Sequence, residues 1–249
     1  MIQKHFFIIG VQRCGTSYLY NILDSHPEIS MAKPLRPEPK YFLNELEFIK
    51  GKEYYEKKYF DSCNSQIKAK GEKGTSYIEY PFIANRIKQY YKDSKIIILL
   101  RNPVDRAISN YFFSFENNLE SRSIEDVFLN DLPIPNIKNK ISVSPFKYLE
   151  RGIYLNYLPH FIREFESRIK IILFEDLFLS TEIYKEIYNF LNVNDRFISP
   201  HINSKINHSI SREQIEINPK VYKKLNMYYK EHNKELEKFL EKNTNWNND

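Results

Sequence analysis

Two glycines, an arginine and two hydroxyl side chains fall within eight residues, Gly10-Val11-Gln12-Arg13-Cys14-Gly15-Thr16-Ser17. The stretch lies between an apolar run at 6–10 and a pattern over 16–25 in which Leu19, Ile22 and Leu23 recur at helical spacing. A strand-to-helix turn of this kind aims backbone N–H groups and a helix N-terminus at one point, which is an anion site. Thr16 and Ser17 add hydroxyl donors, and Arg13 adds a planar fork that suits phosphate oxygens. Gln12, Cys14 and Gly15 complete the candidate loop. Its spacing is that of the nucleoside-triphosphate loop, GxxxxGK[ST], but Thr16 stands where that loop has its lysine. The next strong strand, KIIILL at 95–100, ends in Arg101 and not in a magnesium-binding Asp. A phosphate loop without metal apparatus points away from ATP hydrolysis. Alone, the loop reads equally as a capped strand–helix turn.

A second constellation, RNPVDRAISNY at 101–111, follows that strand. Arg101 at the strand's end and Ser109 in the helix's early turns can together grip a second phosphate, with Arg106 nearby. The other reading is an ordinary helix start with solvated arginines. The pair GxxRxGTS plus RNPxxRAxSxY resembles the sulfotransferases that use 3′-phosphoadenosine 5′-phosphosulfate (PAPS). In that family the first loop holds the 5′-phosphosulfate and the second the 3′-phosphate, so two separated phosphate sites are the expected signature.

The resemblance continues towards the branch containing the heparan sulfate sulfotransferases and many bacterial relatives. EPKYF at 38–42 is similar to that branch's Glu-x-x-aromatic-Phe segment, EKGTSY at 72–77 to its EKTPxY, and RGIY at 151–154 to its (R/K)GxY. FEDL at 174–177 follows a strand as in the family, and Tyr229, Asn233, Leu236 and Trp246 match its terminal helix. The resemblance implies PAPS as donor, adenosine 3′,5′-bisphosphate as product, no metal, and in-line transfer to a hydroxyl or amine of an acceptor, with a saccharide or glycan first. It implies Glu38 as general base, and Arg13 with the loop N–H groups stabilising charge on the leaving phosphate. It also implies Lys205, in NSKINHS, closing on the nucleotide, and Lys40 and Lys73 facing the acceptor. Three departures stand out. The family's usual loop lysine is Arg13 here, which keeps the charge but cannot give up a proton. The position two after Glu38, often His, is Lys40. The paired cysteines of the animal heparan enzymes are absent between Phe178 and Trp246.

The elements that must position these residues alternate strand and helix. Strands are expected at 6–10, 66–71, 95–100 and 169–174. Helices are expected at 16–25, 54–60, 81–91, 104–115, 124–129, 155–166, 183–191 and 219–241, and the proline-rich stretch 33–40 reads as loop. This order predicts an α/β fold, one domain over 1–249 with a central parallel sheet flanked by helices. By resemblance it is the P-loop NTPase-like sulfotransferase fold; the mixed, polar segment 117–147, after which the patterning resumes, reads as a lid or insertion on the acceptor side. A net charge of +5 suits an anionic ligand but falls short of the basic bias of a nucleic-acid binder. Two cysteines, Cys14 and Cys63, build neither a disulfide framework nor a zinc quartet. No apolar run reaches the roughly 18 residues of a membrane span, and the N-terminus carries no signal pattern, so a cytoplasmic setting is expected. His5 and His26 read as packing or capping histidines, and adjacent Glu175 and Asp176 as structural carboxylates. Two rivals remain at this stage: a small-molecule kinase on a similar fold, which the missing loop lysine opposes, and a binding module that keeps the phosphate sites without chemistry.

Overall fold

Phe6, Phe7, Ile8 and Ile9 are all buried, as are Ile96 to Leu100, with no alternation of faces. A run buried this way belongs to a strand covered on both sides, the condition of a parallel sheet. The computed structural model describes residues 4–61, 65–130, 132–134, 143–204 and 214–246. In chain order the first half comprises β1 (Lys4–Gly10), α1 (Thr16–Asp24), β2 (Ile29–Met31), α2 (Glu45–Phe48), α3 (Gly51–Phe60), β3 (Ala69–Lys73), α4 (Phe82–Tyr90) and β4 (Lys95–Leu100). The second half comprises α5 (Pro103–Glu116), α6 (Ile124–Phe128), α7 (Leu158–Phe165), β5 (Ile169–Leu173), α8 (Asp176–Leu179), α9 (Glu182–Leu191) and α10 (Pro219–Leu240). The fold is the expected α/β class. The chain divides into two compact units, residues 1–100 with 157–207 and residues 101–156 with 208–249.

The first unit holds the sheet. Among the described residues five strands run parallel in the order β2-β3-β1-β4-β5. Lys4 pairs with Ala69 on one side of β1, and Phe6 with Lys95 on the other. Because all strands point one way, the segments following β1, β3, β4 and β5 emerge at one edge. The chain leaves β1 towards β2, returns through β3 and then crosses to β4, so its direction of winding reverses around β1. Open α/β sheets bind ligands outside the carboxyl ends of strands at such a reversal.

The second unit packs α5, α6 and α10 around Ile108, Phe112, Phe128, Leu225 and Tyr229. Two of its helices start with the same device. Asn102 and Asn218 each accept the N–H two residues on, from Val104 and Lys220, with proline at the first helical position. Two arginines, Arg106 and Arg151, are wholly buried here. Each gives a hydrogen bond to Asn110 Oδ1, at 3.2 and 3.1 Å. Arg106 also donates to Tyr148 O, and Arg151 to the carbonyls of Val143 and Ser144.

Most expected elements stand within a residue or two of their predicted bounds, with three differences. The strand expected at 66–71 runs later, to Lys73, so Glu72 and Lys73 are strand residues and not loop. The helix expected at 155–166 is split: a single 3₁₀ turn occupies Tyr154–Asn156, and α7 starts afresh with Pro159 in its first turn, where its missing N–H costs nothing. β2, α2 and α8 were not foreseen; at three or four residues they are too short to show a period. Of the segment 117–147, read as a lid, residues 131 and 135–142 lie outside the described residues.

Candidate active site

The loop after β1 is shaped by two left-handed residues. Gly15 has φ +82° and caps α1; Arg13, two residues earlier, has φ +71°. Gly15 is also pressed from beside: a Cβ there would lie 2.3 Å from the Phe174 ring, which follows β5. Glycine is thus required on two counts. The turn opens directly onto α1, whose N-terminus receives no side-chain cap, so its first N–H groups remain suited to an anion. Val11 N–H bonds Leu99 O at 2.9 Å, which ties the loop to β4.

Within the loop the side chains divide their tasks. Gln12 Nε2 donates to Glu79 Oε1 at 3.3 Å. Cys14 gives its N–H to Val11 O and is fully buried, with Sγ 3.9 Å from Gln12 O, so its thiol shapes the turn from inside. Thr16 is buried, while Arg13 and Ser17 are partly exposed.

Ser17 leads to the next layer of the site. Lys73 Nζ, at the end of β3, donates to Ser17 Oγ at 3.1 Å and pairs with Glu38 Oε1 at 2.8 Å. The side chain of Lys73 is 4% exposed and that of Glu38 13%. Glu38 is fixed from the other side by Thr75, whose N–H donates to Oε2 at 3.0 Å and whose hydroxyl reaches both carboxylate oxygens at 2.9 and 3.0 Å. One cation therefore links the first turn of α1 to a carboxylate that is held by both a backbone N–H and a hydroxyl. The sequence motif EKGTSY supplies both Lys73 and Thr75; the segment EPKYF supplies Glu38.

On a strand, neighbours point to opposite faces. Glu72 accordingly turns away from Lys73 into the aromatic interior, where it is about 1% exposed. Tyr55 donates to its Oε2 at 2.5 Å, and Tyr77 donates to its Oε1. Burial raises the Glu72 carboxyl to about 7, aided by the negative charge of Glu38 and opposed by the two tyrosine hydroxyls.

The other expected site residues belong to other segments or to the second unit. Lys40 lies two residues past Glu38 in a left-handed conformation (φ +49°), and its carbonyl accepts from the N–H groups of Leu43 and Asn44. Arg101 and Ser109 belong to the second unit. There the Tyr154 hydroxyl brackets Arg101, accepting from its N–H at 3.3 Å and donating to its carbonyl at 2.6 Å. Ser109 is buried on α5. Arg106, expected near a second phosphate, is instead turned into the core, since its position on α5 faces Asn110 and Tyr148. Lys205 lies outside the described residues. His26 packs against Tyr188 and Phe197, its Nε2 meets Asn194 O at 2.9 Å, and its Nδ1 accepts from Glu28 N–H. His5 packs face to face on Tyr91 at 3.6 Å. Sequence reasoning missed Thr75 and Glu72. Both lie in a motif already singled out, and placing β3 through Lys73 would have exposed the division of faces.

Among the described residues no group of three or more His, Cys, Asp or Glu could hold a metal, and no helix is long and apolar enough to cross a membrane. A solved bacterial protein, a sulfotransferase from Alicyclobacillus acidocaldarius, has the same fold, with a TM-score of 0.77 at 23% identity and full coverage of both chains. The mouse sulfotransferase SULT7A1, complexed with PAP, shares it more loosely: TM-score 0.55, 15% identity, 94% of this chain and 86% of that one. In sequence the chain is 36% identical over 114 residues to the membrane-associated sulfotransferase kil1 of Dictyostelium discoideum, covering 45% of this chain and 23% of that protein. It is 29% identical over 161 residues to human heparan sulfate glucosamine 3-O-sulfotransferase 3B1, covering 65% of this chain and 38% of that enzyme. The matched part of the chain thus spans only 23% and 38% of the length of these two relatives. With residues 3–246 matching the sulfotransferase domain from before β1 to beyond α10, the chain belongs to the sulfotransferase domain family.

Proposed function

We propose that this chain transfers a sulfuryl group from PAPS to a hydroxyl or amine of a saccharide acceptor. The observation that carries this reading is the Ser17–Lys73–Glu38–Thr75 chain, which sets a buried cation between a phosphate-type loop and a fixed carboxylate. In the reaction the acceptor oxygen or nitrogen forms a bond to sulfur. The bond from sulfur to the bridging oxygen of the 5′-phosphate breaks, and its electron pair leaves with adenosine 3′,5′-bisphosphate. The acceptor proton passes to Glu38, whose carboxylate is held in place by Thr75. Arg13 and the α1 N-terminus meet the charge that grows on the leaving phosphate. Lys73, beside Ser17, meets the charge on the sulfuryl oxygens in flight. Arg101 and Ser109 serve the 3′-phosphate, and Lys40 serves the acceptor. Chemistry of this kind rests on positioning and charge more than on covalent intermediates.

Family membership supports the sulfuryl donor, and the heparan sulfate relatives support a saccharide as acceptor. The test begins with calorimetric titration of adenosine 3′,5′-bisphosphate against ATP with magnesium. Tight binding of the first and weak binding of the second is the expected result; the reverse preference would favour a kinase. Labelled sulfate from PAPS should then appear on desulfated heparin oligosaccharides. Glu38→Gln should keep the bisphosphate affinity and lose turnover by about 10²-fold or more.

A further inference from the structure

The segment carrying Glu38 is anchored at more than one point. Thr75 holds the carboxylate itself, and four residues along, Phe42 is held at both backbone groups. Its N–H donates to the Tyr77 hydroxyl at 3.2 Å, and its carbonyl accepts from Arg86 at 2.9 Å. Tyr77 is fully buried and in turn gives its own proton to Glu72. Glu72 therefore fixes the direction of the Tyr77 O–H bond, and with it the lone pair that receives Phe42 N–H. The second oxygen of Glu72 is taken by Tyr55 from α3. A carboxylate buried among tyrosines is costly to keep, and the two oxygens of this one are taken by Tyr55 and Tyr77.

We propose that Glu72, through Tyr77 and the Phe42 N–H, is a positioning residue that holds the Glu38 segment at the distance from Lys73 and Thr75 that proton transfer requires. The proposal rests on the reading of Glu38 as the base. The Tyr77 hydroxyl links Phe42 to Glu72, while its ring lies against Gly74, between Lys73 and Thr75, so Tyr77→Phe removes the link and keeps the ring in place. A misplacement of about 1 Å at a reacting group costs up to about 10²-fold in rate.

The experiment compares Tyr77→Phe, Glu72→Gln, Glu38→Gln and the double variant Glu38→Gln/Tyr77→Phe. Release of adenosine 3′,5′-bisphosphate from PAPS is the rate, taken with desulfated heparin oligosaccharide and with water alone as the slow acceptor. Bisphosphate affinity is measured by calorimetry on each variant. Expected for Tyr77→Phe and Glu72→Gln is a loss of turnover of about 10-fold or more, with the bisphosphate Kd within about twofold of the parent. In the double variant the two losses should not multiply, because a group that acts through Glu38 has nothing left to position. Tyr55→Phe, which leaves the Tyr77–Phe42 link intact, guards against a folding failure: it should lose less turnover than Tyr77→Phe at similar thermal stability. Full turnover in Tyr77→Phe while Glu38→Gln is inactive would overturn the positioning role alone. Multiplying losses in the double variant would do the same. Full turnover in Glu38→Gln would remove the base itself, and the positioning role with it.

Discussion

Gly15 combines a left-handed backbone with the Phe174 ring 2.3 Å from where a Cβ would lie. Gly15→Ala must therefore either push the ring aside or unwind the turn that starts α1. A loss of about 1–3 kcal/mol in folding stability is expected, read from the shift of the urea midpoint, with bisphosphate affinity falling alongside. Phe174→Ala in the same background removes the clash but not the strain of φ +82°, so recovery should be partial. The glycine's place in the anion loop was legible in the sequence, because a strand, two glycines, two hydroxyls and a helix fell in the order such a loop needs. Its second constraint was not, since Phe174 is far away in sequence and only the sheet order brings it near. The same holds for Lys73. Its charge and motif were visible, but its placement between Ser17 and Glu38 follows from β3 lying directly beside β1. Arg106 shows the converse. Residue type alone suggested a phosphate ligand, whereas its position on α5 turns it into the core.

At the scale of elements, α5 does more than carry Ser109. Asn110 on this helix receives both buried guanidiniums on one oxygen and donates its amide to Pro145 O at 2.8 Å. Asn110→Ala would take this shared acceptor from two buried charges. The expected cost is about 3 kcal/mol, seen as a lower urea midpoint, and Asn110→Asp should recover much of it by returning the acceptor with a charge. The apolar runs and the long helical period of α10 made the larger elements readable from local pattern alone. The three-residue β2 could not be read this way. Ile29, Ser30 and Met31 become a strand only because β3 offers them a parallel partner, which is a tertiary cause with no local signature. The split before α7 was readable in principle, because Pro159 suits a helix's first turn and not its middle.

For the whole molecule, Glu72 ties stability to pH. Its folded carboxyl stands at about 7 against an ordinary 4.5, with burial the leading cause. Between these values the folded chain keeps a proton that the unfolded chain has released, so this group makes stability fall as pH rises from about 4.5 to about 7. Urea midpoints measured across that window should decline less steeply in Glu72→Gln than in the parent, and the two slopes should agree above pH 8. The arrangement of the sheet has a different consequence, for the order in which the chain is made. β1 leaves the ribosome before the other strands and carries four consecutive buried apolar residues, yet its neighbours are β3 and β4, joined through Lys4–Ala69 and Phe6–Lys95. Until β3 (Ala69–Lys73) and then β4 (Lys95–Leu100) follow, the central strand has neither side covered. Parallel partners this distant close slowly and leave sticky edges open meanwhile. The strand that opens into the anion loop is therefore the one most in need of shelter during birth, and its yield in cells should depend on chaperones more than its final stability suggests.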